Sequence, residues 1–518
     1  ENANISLLSG TVVSEYTPSF DYVNNKRAYS GTDIGAYESV ISSWSGTAAD
    51  NNPNNSNNWS DSSLPDSSIG IVDIGSNDQV TWNANFTTGA INISSGGSLI
   101  TYADITGNIT YNRTLSTKNW YLISSPVVGQ DIDAFVSAEG LASGTGNNIG
   151  LSDYSNSTPG WTYYQSGASG TGNFTSGDGR SIKLVSAGDI TFTGTINTSD
   201  DGIGITTSRN GFNLVGNPYP SFIAANNSAD GTNNILKVNE TDNDFLTEAT
   251  LWFWNQGTNS YDQINHASSA RYIAPGQGFF VSSNGANTLS ITEAMQSHQG
   301  TDTFQRLSLR PEIQLTMTNG TDIRNTDIFY IEETTTGWDN GYDSTIFGGV
   351  ANEFAIYTHL LSDSQGQDLG IQSLPPENYE NMVIPVGINA VSGIDITIDA
   401  TITNFSSGMN VYLEDKEDNS FTLLAADSNF TTTLISDLNG IGRFYLHTTS
   451  ETLSSDDVLN KNNISIYTSS KENLRIVGVQ NGSANIHIYN ILGKEVLRTS
   501  FEGTGMNDIQ LPILTEGV

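Results

Sequence analysis

A chain of 518 residues has room for three or four domains of ordinary size, each burying its own core. Its formal charge is -36 although only 14% of residues are charged, so Asn, Ser, Thr and Gly supply most of the polarity. That balance favours turns and β-structure and repels nucleic acid and anionic lipid. The chain has no Cys, which excludes disulfides, thiolate metal sites and a cysteine nucleophile, and no apolar run approaches the roughly 20 residues of a membrane-spanning helix.

With neither an initiator Met nor a signal peptide at Glu1, the sequence reads as a piece of something longer at both ends. Residues 1–40 close on "DIGAYE", with Asp33, Ile34, Gly35, Tyr37 and Glu38. This resembles the last turn of the right-handed parallel β-helices of secreted bacterial surface proteins and polysaccharide-active enzymes; a β-hairpin with a Gly turn is the alternative. The resemblance implies a β-helix upstream, where catalytic groups would lie.

Between Trp44 and Trp59 runs an Asn-rich loop with a Trp anchoring each end. The following stretch, to about 112, alternates apolar and polar residues in short runs split by Gly and Asn. A small β-roll, or a stack of β-helix-like coils, is expected over 41–112.

Residues 113–300 contain a duplication. Trp120, Leu122 and Pro126 line up with Phe212, Leu214 and Pro218; Tyr154 and Trp161 with Trp254 and Tyr261; Gly179 and Ile182 with Gly278 and Val281. Three blocks in one order imply two copies of one β unit, read as a double β-sandwich. In the second copy, Trp252, Trp254 and Tyr261 are candidates for stacking a sugar ring. Trp252 and Trp254 share one face of a strand while Phe253 takes the other, so part of this cluster must be core.

Seven or so short strands between 301 and 453 fit a β-sandwich of jelly-roll or immunoglobulin-like type. Here "GWDNGYD" places Asp339, Asn340 and Asp343 in a Gly-rich turn. Calcium is one reading of it. The alternating ligands and terminal Glu of an EF-hand are missing, however, and Asx turns account for the residues without a metal. The histidines, His266, His298, His359, His447 and His487, stand in five unrelated contexts, and no nucleophile elbow, P-loop, HExxH or dinucleotide fingerprint occurs. No catalysis is expected within these residues.

A polar linker at 454–463 leads to a tail, 464–518, that alternates cleanly: "ISIYTSS", "NLRIVGV", "ANIHIYNILGKEVLRTSF", "MNDIQLP". Lys471, Arg475, Lys494 and Arg498 nearly balance Glu472, Glu495, Glu502, Asp508 and Glu516, so the tail carries little of the acidic excess. On "NLRI", "IYNILGKEV", "GTGMNDIQLP" and the closing "EGV", the tail closely resembles the C-terminal sorting domain of cargo proteins of the Bacteroidetes type IX secretion system. The matched residues include Ile488, Tyr489, Asn490, Gly493, Lys494, Val496, Gly505, Leu511 and Gly517. The family normally continues with a Tyr-initiated final strand and a short basic end, and this sequence stops just before them.

The resemblance implies a small immunoglobulin-like sandwich as an export address. Its partners would be the translocon barrel and its outer-membrane shuttle protein, and its destination the cell surface or beyond. The expectation is an all-β, non-enzymatic surface protein, an adhesin or stalk. Two rival readings stand beside it: the accessory region of a polysaccharide-active enzyme, and a carbohydrate-binding module whose partner is a surface glycan.

Overall fold

The computed structural model describes residues 41–512 except 61, 66–69, 158–159, 299–309, 378, 454–464, 471–472, 480–482, 491–492 and 503–504. The expected β-helix end at 1–40, the linker and Gly517 therefore lie outside the described residues. The fold is all-β, as its composition predicts. Among the described residues no helix is long and apolar enough to cross a membrane. The chain divides into two compact units, Glu1–Thr247 with Ala270–Phe304 and Glu248–Ser269 with Gln305–Val518.

In the first unit, the strands Ile41–Ser43, Ile71–Ile74, Phe86–Ile93 and Ile105–Leu115 pair in parallel in that order. Gln79–Trp82 and Ser98–Thr101 form a second parallel pair. Sequential parallel strands with a strand of another sheet between them make stacked coils, and alternation then lines up like residues. Val72, Ile91 and Ile109 form one buried column, and Ile74, Ile93 and Tyr111 another. Gly188–Gly194 pairs antiparallel with Ile105–Leu115 and covers what would otherwise be an open sheet edge.

The duplication is carried into strand register. Tyr121–Ile123 pairs with Arg180–Ile182 so that Leu122 faces Ser181; Phe212–Gly216 pairs with Gly278–Ser282 so that Leu214 faces Phe280. These are equivalent positions of the two copies. Likewise the hairpin Asn148–Tyr154/Trp161–Gln165 sets Tyr154 opposite Trp161. In the second unit, the hairpin Leu251–Asn255/Ser260–Ile264 sets Trp254 opposite Tyr261.

The second unit is built on one long sheet. Its path runs Ser420–Leu424, Asn410–Asp415, Leu438–Thr449, Met382–Ala390, Ala355–Thr358, Leu369–Leu374, Ile323–Tyr330, Glu312–Thr318, Asp395–Thr403, Phe430–Thr433. Ile323–Tyr330 and Leu369–Leu374 run parallel. Leu424 and Phe430, from the two terminal strands, belong to the same buried cluster as Ile313, Ile384 and Phe444, so the sheet curls until its ends share a core. Gly387 leaves room for the ring of its strand partner, buried Tyr357, which a Cβ there would meet at 2.1 Å.

In the tail, Ser465–Ser470, Asn473–Val479 and Gly505–Gln510 form a three-stranded antiparallel sheet, and Ser483–Tyr489 pairs with Glu495–Glu502 as a hairpin. Arg475, 7% exposed, grips Asp508 with two bonds of 2.7 and 2.9 Å and approaches Glu417, in the turn between Asn410–Asp415 and Ser420–Leu424, at 3.3 Å.

Candidate binding cleft

In the second unit, alternation along Leu251–Asn255 sends Trp252 and Trp254 to one face, and their surroundings then diverge. Trp252 is fully buried beside Phe347, with its ring N–H donating to the Thr345 carbonyl at 3.1 Å. Its face is closed to any ligand, so the sugar-stacking platform expected from Trp252, Trp254 and Tyr261 narrows to the last two. Trp254 and Tyr261 are half-buried, meet edge to face at 5.0 Å, and line a cleft of about 560 Å³. That volume lies within the usual range for small-ligand sites. Tyr261 also packs on Phe347 at 4.1 Å, which ties the rim of the cleft to the core.

The opposite wall comes from Glu312–Thr318, Ile323–Tyr330 and the segment 346–356. Arg324 fastens these parts together: it donates to the carbonyl of Thr258 in the hairpin turn at 2.7 Å and to that of Phe354 at 3.1 Å, with its guanidinium 5.8 Å from the Phe354 ring. Burial lowers its pKa, but a guanidinium stays charged. Gln263 lies close over Gly370, where a Cβ would come within 2.6 Å of its amide oxygen.

Four carboxylates line this space, Asp262, Asp322, Asp327 and Glu353, and the first and third are each held by an amide across a strand pair. Asp262 accepts from Asn255 at 3.0 and 3.2 Å, and Asp327 accepts from Gln314 across the strand pair at 2.9 Å. Burial pushes Asp327 up to about 6; the Gln314 bond opposes the shift, while the charges of Glu312 and Asp262 add to it. The cleft thus combines rigid aromatic surface with paired carboxylates and amides, groups suited to a ligand that has both apolar faces and many hydroxyls.

The sequence singled out the aromatic residues. It did not single out Asp262, Asp327, Gln314, Arg324 or Phe347, because most of these arrive from strands that only long-range pairing brings to the hairpin.

The acidic turn is held by side chains that accept backbone N–H groups, though not in the i to i+2 pattern of an Asx turn: each bond comes from four residues back or from a distant segment. Asp339 accepts from the Thr335 amide at 2.6 Å, Asp343 from the amides of Asp339 and Ser373 at 2.7 and 2.8 Å, and Asn340 from that of Ala249 at 2.9 Å. Burial nonetheless pushes Asp343 up to about 7, with the backbone bonds opposing it. Among the described residues, no group of three or more His, Asp or Glu converges as a metal site.

For four of the five histidines the side-chain partners are separate: His298 bridges Thr81 and Ser98 at 2.8 and 2.9 Å, His359 meets Asp368 at 2.9 Å, and His447 and His487 meet Glu414 and Glu495, each at 2.7 Å. Burial lowers His298 to about 4.

In the tail, the Asn490 side chain accepts from the Lys494 amide at 2.9 Å, and Gly493 takes φ +76° while donating to the Asn490 carbonyl at 2.8 Å. The Asn and Gly of the motif are thus the residues its hairpin turn requires. Tyr489 is 56% exposed; Gly493 and Lys494 are exposed, while Ile488, Val496 and Leu511 are half-buried. Gly505 opens the strand Gly505–Gln510.

The model of a domain family of unknown function, DUF8693, matches residues 71–447, a span that includes the whole cleft and stops before the tail. No curated protein and no solved structure matches the chain.

Proposed function

Because the chain belongs to DUF8693, a family described only as a domain of unknown function, its role is to be read from its own surfaces, and we propose that it is a non-enzymatic, multidomain cell-surface protein, an adhesin or stalk, exported by type IX secretion through its C-terminal tail. One observation carries this reading. The residues on which the tail resembles a sorting domain, Tyr489, Asn490, Gly493 and Lys494, come together on one hairpin turn, with Tyr489 and Lys494 turned to solvent. A translocon barrel or its shuttle protein would meet that turn and the adjoining strand edges, where strand addition is the natural mode of capture.

The test is deletion from Asn463 onward in the natural gene. The truncated protein is expected to accumulate in the periplasm, and normal delivery to the surface would refute the reading.

The cleft favours a second reading for the cargo itself: it binds a surface glycan. Trp254 and Tyr261, half-buried beside carboxylates and amides, support this.

A further inference from the structure

The two copies of the duplicated hairpin differ in an informative way. Both keep an edge-to-face aromatic pair at the same register, Tyr154 with Trp161 at 5.1 Å and Trp254 with Tyr261 at 5.0 Å. In the first copy the pair packs on Phe280, with Tyr154 at 4.8 Å, and is framed by Ser155, Thr162 and Tyr163. In the second copy those three positions are Asn255, Asp262 and Gln263, and all three line the cleft. The aromatic pair is therefore what the hairpin needs to stand. The amides and the carboxylate are what the second copy adds to it.

The added groups define a ligand class. Four carboxylates, Asp262, Asp322, Asp327 and Glu353, line the cleft against the single guanidinium of Arg324, whose donors already reach backbone carbonyls. Such a field repels phosphates, uronates and sialic acids. Asp262 and Asp327 are each already paired with an amide, so they offer mixed donor and acceptor arrays suited to vicinal hydroxyls rather than bare charges suited to an ammonium group.

We propose that the cleft binds a neutral, hydroxyl-rich pyranoside chain. A sugar ring lies against the Trp254–Tyr261 wall, and its hydroxyls bond to Asp262, Asp327 and the neighbouring amides. This rests on the glycan-binding reading and sharpens it by excluding acidic sugars; it does not depend on the export route.

The experiment is calorimetric titration of the full chain with neutral, uronate-containing and sialylated oligosaccharides and with a polyamine. Neutral oligosaccharides are expected to bind, and Trp254→Ala and Asp262→Ala each to weaken binding at least about tenfold, the loss expected for a hydrogen bond to a charged group or a stacked ring. Asp262 is exposed and its described bonds go to Asn255 of the same hairpin, so hydrogen exchange of the hairpin amides should stay as in the parent in Asp262→Ala, which carries the test even if Trp254→Ala destabilises the hairpin.

If acidic oligosaccharides or the polyamine bind in the neutral sugars' place, with dependence on Asp262, this inference fails; for the acidic sugars the broader glycan reading survives. If neutral sugars bind equally well to both variants, the site assignment is wrong. If no oligosaccharide binds, inference and reading fall together.

Discussion

Arg443 offers the sharpest test of how the second unit is held together. It lies on Leu438–Thr449 with its side chain 6% exposed, and its Nε and Nη2 form a fork on the two oxygens of Asp415 at 2.9 and 2.7 Å. Nη1 pairs with Glu417. Asp415 is 1% exposed, and the one other hydrogen bond described for its side chain comes from the Glu417 amide at 3.0 Å. Arg443→Ala therefore leaves a carboxylate in the sheet with a single neutral donor. Breaking a buried pair from one side destabilises by about 3–5 kcal/mol, far more than the pair contributes over an apolar replacement.

The reasoning separates two variants. Arg443→Ala should lose that full amount, whereas Arg443→Met with Asp415→Leu, which removes both charges, should recover most of it. A chain of several units does not unfold in one step, so a single melting temperature is the wrong measure. Hydrogen exchange of the amides in Leu438–Thr449, followed against denaturant, reports the local free energy instead. A loss below about 1 kcal/mol in the single variant, or no recovery in the double, would show that the uncompensated charge is not the cause.

Trp252→Ala, at a fully buried site whose ring N–H is bonded to Thr345, should cost about 3–5 kcal/mol in denaturant titration followed by hydrogen exchange of the hairpin amides; a near-neutral result would contradict its placement in the core. Asp327 sets a pH dependence. Its folded pKa of about 6 lies above the ordinary 3.8, so the folded state binds more protons between those values and stability falls as pH rises through that window. Asp327→Asn should therefore stabilise at pH 8 by at most about 3 kcal/mol and give no gain near pH 3, and equal effects at both pH values would refute the assignment.

What could be read from the sequence was whatever depends on near neighbours. Period-2 alternation broken by Gly and Asn identifies strands because a strand's two faces meet different surroundings over a few residues. The duplicated blocks carried the aromatic pairs for the same reason: Tyr154 with Trp161 and Trp254 with Tyr261 are each separated by one short turn. Alternation placed Trp252 and Trp254 on one face and could go no further. What divides them is Thr345, which comes from 93 residues away to cover Trp252, while Trp254 is left at the cleft. The wall opposite the hairpin was out of reach because, although Gln314 and Asp327 pair across one short turn, nothing local to either hairpin shows that Glu312–Thr318 and Ile323–Tyr330 meet Trp254 and Tyr261 at one cleft.

The tail shows what composition leaves out. Its near-balance of charges reads as a small β-sandwich of its own, and its strands form their own sheets, but Arg475 is buried, forked on Asp508 within the tail and 3.3 Å from Glu417 outside it. Glu417 is in turn the second partner of Arg443. A buried guanidinium in the long sheet and the Arg of "NLRI" therefore share one carboxylate, and a charge counted as part of the tail's balance also reaches the domain before it. Charge totals describe how a segment behaves as a free chain; after folding, the partner each charge finds decides whether the segment is separate. By that criterion the tail is joined through Glu417 to the domain before it.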